Sequence, residues 1–225
     1  MTASTLERPT VQETNEPQLL ISLPVHLLHC VAQFASTDPS KSAINKISLY
    51  RDDSSDVVTL AATNGHHLLR IILPEDSTSI KELEPGQRLL IDPAAFMKRP
   101  LVKEKAVRIF SNGKAEIYGH TSSEYKIVLW KTNDDGYKFP DYDQLFPDEY
   151  HNKPEKPFAF NPRYLLDFLK LANYYSINGV VKWQMNSPNT PMVQTFVVSS
   201  EWVNKFCGKQ TVTIEHLLMP ITIRP

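Results

Sequence analysis

Apolar and polar positions follow one pattern three times along the chain. A short apolar run leads to a proline, and a stretch with helical spacing of apolar residues comes next. The prolines are Pro24, Pro93 and Pro162, separated by 69 residues in both intervals. Proline fits the first turn of a helix, and Asp92 and Asn161 are residue types that cap free backbone N–H groups. The pattern predicts three helix starts.

The first and third of these helices are predicted to be amphipathic, because their apolar residues recur at helical spacing. Three strand-like runs follow each helix, separated by turn residues. The runs are KISLYR, DVVTLAAT and HLLRIIL, then AVRIFS, KAEIYGH and YKIVLWK, then VVKWQM, MVQTFVV and IEHLLMPITI. The buried faces would be Leu27, Leu28, Val31, Phe34 and Ala35 in the first helix, and Leu165, Leu166, Phe168, Leu169 and Ala172 in the third.

The repeating unit is therefore a strand, a helix and three more strands. Such a unit cannot bury both its helix and its sheet alone, so we expect an α+β fold with helices on one side and antiparallel sheets on the other. We divide the chain into a disordered tail (1–17), a domain of two units (18–147), a linker (148–157) and a third unit (158–225). The third unit has no partner unit in this chain, which predicts association with another chain.

Composition adds few constraints. The chain has 225 residues, a formal net charge of −1 and 41% hydrophobic residues, which is ordinary for a globular protein. Cys30 and Cys207 fit neither a zinc spacing nor a disulfide framework, so we expect free thiols in the cytoplasm. The polar N-terminal residues lack the apolar core of a signal peptide, and no apolar run is long enough to span a membrane.

Four segments resemble the bacterial sliding clamps, the beta subunits of DNA polymerase III, and they occur in the same order. AATNGHHLLRI resembles the clamp segment ATDGHRL in the last hairpin of a unit. KFPDYDQLFP (138–147), FAFNPRYLLDFLK (158–170) and HLLMPITIRP (216–225) are also similar to clamp segments. The resemblance covers most of residues 18–225 and implies a DNA-clamp fold.

The chain departs from the family in length. Clamps of this family have six units per chain and close a ring of twelve units around duplex DNA, whereas this sequence holds three units. It resembles a middle domain followed by the second half of a last domain. Four copies would give twelve units, and a dimer or a monomer that forms no ring is the alternative.

The resemblance also implies a pocket for short peptides of partner proteins. Apolar and flexible side chains would grip the peptide, and a few polar groups would fix its backbone. His67 stands where the family usually has arginine, and Gln144 where a basic residue is common, so the rim has less positive charge. The matching positions are Thr63, Gly65, His66, His67, Leu68, Pro140, Leu145, Leu217, Met219, Pro220 and Ile221. An ordinary hairpin with both histidines exposed is the alternative for the first segment.

For DNA, the resemblance implies helices that line a channel and touch phosphates without reading bases. A charged, solvated surface is the alternative for each basic residue. The first helix is poor in charge, so part of such a wall would be nearly neutral. The candidate DNA-binding residues are Lys98, Arg99, Lys103 and Lys105 in the second unit, and Arg163 and Lys170 in the third.

Metal and catalytic sites are not predicted. His26 and His29 share a helix face, but His66 and His67 point to opposite sides of a strand, so no ligand set emerges. The sequence has no nucleophile motif and no phosphate-binding glycine loop. The acidic pairs Asp134–Asp135 and Asp141/Asp143 lie in turn-like sequence, where they are expected to be solvated or to cap.

The sequence therefore predicts a protein without enzymatic activity or cofactor, built on a clamp fold. We expect it to encircle duplex DNA as a homo-oligomer and to tether polymerase or repair proteins through the peptide pocket. The alternative is a shortened clamp relative that does not encircle DNA and acts as an adaptor or regulator of clamp partners. The segment 199–211 would either cover the open edge of the third unit or contact a partner.

Overall fold

A computed structural model describes ten segments of the chain: residues 17–55, 57–73, 79–98, 106–118, 123–126, 129–131, 138–146, 159–184, 191–198 and 212–219. In them the helices are α1 (Val25–Ala32) and α2 (Pro162–Tyr175), with 3₁₀ turns at Pro93–Phe96 and Asp143–Leu145. The strands are β1 (Leu19–Pro24), β2 (Ile47–Arg51), β3 (Val58–Thr63), β4 (His67–Leu73), β5 (Ser79–Ile80), β6 (Arg88–Ile91), β7 (Ala106–Phe110), β8 (Lys114–Tyr118), β9 (Ser123–Lys126), β10 (Leu129–Lys131), β11 (Lys182–Gln184), β12 (Met192–Val197) and β13 (Thr213–Leu218).

These strands form two antiparallel sheets, and the α+β fold expected from the sequence is confirmed. One sheet has the order β5-β1-β7-β8-β9, and the other has the order β10-β6-β2-β3-β4-β13-β12-β11. Unit one comprises β1, α1 and β2–β4; unit two comprises β6, the first 3₁₀ turn and β7–β10; unit three comprises α2 and β11–β13. The predicted linker, residues 148–157, lies outside the described residues.

The helix starts differ among the three units. Asn161 and Asp92 each accept a hydrogen bond from the backbone two residues on, and proline follows both in the first turn, as the sequence predicts. In unit one Pro24 is itself the N-cap residue of α1. In unit two the start of the expected helix is a four-residue 3₁₀ turn, Pro93–Phe96, and residues 99–105 lie outside the described residues.

Units one and two exchange their first strands. β1 of unit one pairs with β7 of unit two, and β6 of unit two pairs with β2 of unit one. Each unit thus places its first strand beside the strand that follows the helix of the other unit. The exchange couples the two units through backbone hydrogen bonds, so neither sheet can form from one unit alone.

The main hydrophobic core is continuous across the three units. All eight residues of α1 are buried, so α1 has no exposed face, in contrast to the channel-lining helix that the resemblance implies. Helix α2 contributes Phe168, Leu171, Ala172 and Tyr175 to the same core. The prediction that Leu166 lies on its buried face is wrong, because Leu166 is 51% exposed on the opposite side of the helix from these residues. The Tyr175 ring lies 6.0 Å from the His26 ring of α1, measured between centroids. Unit three is therefore packed onto unit one.

Unit three joins unit one through antiparallel pairing of β4 with β13, which we call the joint. Its register runs from Thr213 opposite Ile72 to Leu218 opposite His67. On the outer face of the sheet, Arg70 Nε donates to Glu215 Oε2 at 2.6 Å. The joint makes one eight-stranded sheet out of strands from all three units.

On the inner face, a buried hydrogen-bonded chain crosses the joint. The Gln194 Oε1 atom accepts a hydrogen bond from His216 Nδ1 at 2.7 Å, so His216 Nε2 carries a lone pair. That lone pair accepts a hydrogen bond from His67 Nδ1 at 3.1 Å. Phe34 packs against both imidazoles, and Phe168 stacks on His216 at 4.6 Å between centroids. These hydrogen bonds can all form when both imidazole rings are neutral.

Burial keeps both histidines neutral. Desolvation, with a smaller contribution from the neighbouring His66, lowers the pKa of His67 to about 4. Desolvation also lowers the pKa of His216 well below its usual value, with His67 as the smaller cause. A proton added to His216 Nε2 would face the proton on His67 Nδ1, whereas a proton added to His67 Nε2 would leave this hydrogen bond intact. Desolvation of the charged ring opposes protonation in both cases. Between pH 6.5 and about 4 the unfolded chain binds protons that the folded chain excludes. The free energy of unfolding therefore decreases as the pH is lowered through this interval.

We therefore predict that acid weakens the protein through these histidines. Lowering the pH from 7 to 5 should cost about 2 kcal/mol of unfolding free energy for His67. His67→Gln retains a donor for His216 and should lose correspondingly less stability over this interval. Urea unfolding at both pH values measures the difference. His66→Gln, which removes an exposed histidine, is the control; an equal loss in His67→Gln and in the unmutated protein would contradict the prediction.

Candidate functional site

The turn between β3 and β4 is fixed by its own side chains. Asn64 Oδ1 accepts hydrogen bonds from the N–H groups of the two following histidines, at 3.0 and 3.3 Å. Thr63 Oγ1 donates to the carbonyl oxygen of His67 at 2.7 Å and accepts from Gly65 N at 3.0 Å. Gly65 has φ +91°, and a Cβ there would lie 3.6 Å from Ile44 Cδ1. The backbone conformation, which strains L side chains, explains the glycine.

The end of β13 reaches this turn. Met219 N donates a hydrogen bond to the carbonyl oxygen of His66 at 3.3 Å. Leu218 lies opposite His67, and Leu217 lies opposite Leu68 in the register of the joint. Segments 149 or more residues apart in sequence therefore share one surface at the β4 end of the joint.

The outer face of the joint carries a second buried apolar cluster. Leu68 and Leu217 come from the two strands of the joint, and Phe139 and Tyr142 come from the segment 138–146, which covers the sheet there. Burial raises the pKa of Tyr142 to about 12, so its phenol stays neutral. The cluster forms an apolar floor that belongs to units one, two and three together. Its remaining members are Ala61 and Leu90, with Phe146 half-buried against them.

Exposed apolar side chains accompany this floor. Leu145 is 38% exposed and Met219 is 40% exposed, and Pro140 is exposed as well. His66 is exposed and stacks on Tyr164 of α2, with 5.4 Å between ring centroids. Apolar groups at the surface over a buried apolar floor are typical of a surface that binds an apolar ligand.

The positive charge of Arg70 on this surface is engaged by carboxylates. Arg70 contacts the carboxylates of Glu215, at 2.6 Å, and Asp143, at 3.0 Å. Its guanidinium also lies 3.4 Å from the centroid of the Phe146 ring. His67 adds no charge at neutral pH because burial lowers its pKa. The positive charge of Arg70 is matched by two negative charges, so this region offers little attraction to an anion.

Most of the candidate pocket residues meet at this place, but they differ in orientation. Leu68 and Leu217 form the floor, and His66, Leu145, Pro140 and Met219 are exposed. His67 is buried on the inner face, so it does not stand on an exposed rim. Thr63 and Gly65 shape the turn. Pro220 and Ile221 lie outside the described residues.

The sequence did not single out Phe139, Tyr142 or Arg70, although all three contribute to the site. The spacing of aromatic residues in the segment FPDYDQLF, at i, i+3 and i+7, is a signal, because Phe139, Tyr142 and Phe146 are the residues that pack in this cluster. The pairing of Arg70 with Glu215 and Asp143 depends on tertiary structure that a single sequence does not reveal.

Three of the candidate DNA-binding residues are described, and all three are exposed: Lys98, Arg163 and Lys170. Lys170 Nζ lies 3.8 Å from Asp167 Oδ1, so its charge is partly balanced on the surface of α2. Arg99, Lys103 and Lys105 lie outside the described residues.

Other chemistry finds little support in the described part of the chain. No group of three or more His, Cys, Asp or Glu residues there is arranged to hold a metal ion. His26 and His29 are buried in the core, and Asp143 is paired with Arg70. Asp134 and Asp135 lie outside the described residues. None of the described helices is long and apolar enough to cross a bilayer.

Comparison with known proteins places the fold among DNA polymerase clamps. No family model matches the chain, and no curated protein matches it. Solved structures do match. The beta subunit of DNA polymerase from Streptococcus pyogenes aligns with a TM-score of 0.59 and 17% identity, over 96% of this chain and 68% of that one.

Two further matches are of the same kind. The Helicobacter pylori beta clamp bound to a DNA ligase peptide has a TM-score of 0.56 and 15% identity, over 95% of this chain and 69% of that one. The DNA polymerase sliding clamp of Bacillus subtilis has a TM-score of 0.54 and 13% identity, over 97% of this chain and 68% of that one. The chain spans about two thirds of their length and has the fold of the bacterial DNA polymerase beta clamps.

Proposed function

We propose that this protein is a sliding-clamp-like processivity factor that tethers polymerase or repair proteins to DNA. It would act in the cytoplasm, without enzymatic activity or cofactor, and hold partner proteins through a short peptide of each partner. Its homo-oligomer would encircle duplex DNA. The likeness of the fold to beta clamps supports the general class, and the surface at the joint supports the peptide-binding role.

The observation that carries the proposal is the arrival of Met219 beside the turn at Gly65. A hydrogen bond from Met219 N to His66 O connects the two segments that the resemblance assigns to opposite walls of the pocket. Exposed Met219 and Leu145 are flexible, and flexible side chains adapt to peptides of different sequence. One neighbouring structure, that of Helicobacter pylori, holds a DNA ligase peptide, which is consistent with such a ligand.

The peptide would bind chiefly through apolar side chains. Leu68 and Leu217 offer an apolar floor, and Arg70 is already engaged by two carboxylates. An acidic peptide end would therefore find little free positive charge among the described residues of this surface. His66, exposed beside Met219, would offer its ring to the peptide backbone or to an aromatic side chain.

DNA binding rests on the exposed cations of units two and three. Lys98, Arg163 and Lys170 are long, exposed side chains suited to contacts with phosphates that carry no sequence information. So few charges predict a weak grip, which a closed ring tolerates because topology retains it. Four copies of this three-unit chain would supply the twelve units of a clamp ring.

The second candidate function is a clamp relative that does not encircle DNA. One feature favours it: α1 is buried along its whole length, so this helix offers no surface to a DNA channel. Such a protein would still bind the peptides of clamp partners and act as their adaptor or regulator. Retention on circular DNA separates the two candidates.

We predict that Met219→Asp weakens binding of a labelled DNA ligase peptide at least tenfold, because a carboxylate replaces apolar contact area. Fluorescence anisotropy measures the affinity. Met97→Asp is the matched control, since Met97 is equally exposed at 40% but lies in unit two away from the joint. It should bind as the unmutated protein does. No binding by the unmutated protein, or equal loss in both variants, would remove the pocket from the proposal.

We also predict that the protein stays on nicked circular DNA in a gel-filtration assay and leaves when the DNA is linearised. The double variant Arg163→Ala with Lys170→Ala should lower the salt dependence of DNA binding by about two units of slope, since each phosphate contact contributes about one. Lys81→Ala, which removes an exposed lysine of another surface, should leave the slope unchanged. Equal retention on circular and linear DNA would favour the adaptor.

A further inference from the structure

The exchange of strands between units one and two sets a rule for a complete unit. In each of them the strand after the helix has two neighbours: its own next strand and the first strand of the other unit. β2 lies between β3 and β6, and β7 lies between β8 and β1. In a complete unit the first strand therefore pairs with the other unit, and the strand after the helix pairs with the first strand of the other unit.

Unit three does not receive such a strand from the described residues. β11 is the strand after α2, and it corresponds in position to β2 and β7. It pairs with β12 and ends the eight-stranded sheet. Its other edge presents backbone groups to which a further strand can bind. The residues before α2, 159–161, correspond to the end of β1 and β6 and belong to no described strand.

Exposed apolar side chains mark the same edge. Trp183 on β11 is 47% exposed. Ile177 and Val180, in the connection from α2 to β11, are 53% and 51% exposed. Three large exposed apolar residues within a short stretch of chain, at the end of a sheet that no further described strand continues, indicate a surface that another protein surface covers.

We propose that a second copy of this chain covers this edge, and that two copies exchange strands through their third units. The segment at 159–161 of one copy would pair with β11 of the other, and the reverse. Each copy has both the segment 159–161 and the open edge of β11. A two-fold axis therefore lets each copy place its segment on the β11 edge of the other. The pair would reproduce the arrangement that units one and two already form within one chain.

The existing pairings also predict the register of this contact. In unit two, Ile91 immediately precedes the N-cap residue and lies opposite Ile47, the first residue of β2. In unit one, Leu23 holds that place and lies opposite Val107, the second residue of β7. By analogy, the residue before Asn161 should lie opposite the first or second residue of the other copy's β11.

The interface supplies one contact of the homo-oligomer in the proposed function, because it joins two copies and two such pairs would make the four-copy ring. It rests on that part of the proposed function alone. The peptide-binding surface lies at the joint of units one and three within one copy, where the described contacts are all of one chain. Loss of the dimer therefore leaves peptide binding intact, and loss of the pocket leaves the dimer intact. The two proposals fail separately.

Disulfide cross-linking tests the register. In a Cys207→Ser background, Ala159→Cys is combined with Trp183→Cys, or with Gln184→Cys, which are the two positions that the two registers place opposite residue 159. Oxidation should give a covalent dimer with one of these pairs, because facing residues on paired strands bring their Cβ atoms within about 5.5 Å. Ala159→Cys with Met97→Cys is the control and should stay monomeric on a non-reducing gel. Failure of both pairs would overturn the register.

The mass in solution tests the interface itself. The unmutated protein should be at least a dimer at micromolar concentration, and Val180→Asp with Trp183→Asp should reduce its mass by half or more. Met97→Asp should leave the mass unchanged, and far-UV circular dichroism of both variants, compared with that of the unmutated protein, shows that they are folded. A monomeric unmutated protein would overturn the proposal. A second result would also overturn it. If the protein were monomeric and dimerised only after residues 199–211 were replaced by a short glycine-serine linker, that segment of the same chain would be what covers the β11 edge.

Discussion

The antiparallel pairing of β4 with β13 is the interaction on which the arrangement of this chain depends. It connects strands that are far apart in sequence, since the facing residues Leu217 and Leu68 are 149 positions apart, and so carries a large loop-closure cost. Two different contacts fix its register. The neutral histidine chain lies on the inner face, and the ion pair of Arg70 with Glu215 lies on the outer face. A slip of one residue would bury the charged pair and expose the histidine, so the register is strongly determined.

The same register creates the candidate site. Because Leu218 faces His67, Leu217 meets Leu68 on the outer face and Met219 reaches the turn. No single unit can form the site, because its apolar floor combines side chains of units one, two and three. A ligand that binds there stabilises the joint by mass action, because the open form offers only part of the surface. Binding and the integrity of the joint are therefore linked, and each strengthens the other.

Local features of the fold could be predicted from the sequence, and pairings could not. The caps at Asp92 and Asn161 depend on neighbouring residues, and the structure has both. The run YKIVLWK was predicted as one strand, but it forms β9 and β10 in two different sheets. Alternation of apolar residues does not identify the partner of a strand, so the exchange between units one and two was also missed.

The candidate site divides in the same way. The motif around Gly65 predicts the turn, since the asparagine and the glycine suit it individually. Whether His66 or His67 faces solvent depends on the side of β4 that α2 covers, and that is decided by unit three. The sequence therefore places His67 on an exposed rim, whereas packing against Phe34 and His216 buries it. Tertiary contacts, rather than strand propensity, distinguish the two histidines.

Reciprocal exchange of first strands takes place between two units at a time. Each exchange completes two units, so units one and two complete each other, and unit three receives no such strand from the described residues. Head-to-tail contacts between such chains would leave open ends and allow filaments. A two-fold contact through unit three uses the giving segment and the receiving edge of both copies together and leaves neither available. An exchanging unit without an internal counterpart among the described strands therefore favours closed, symmetric pairing of two copies over open polymerisation.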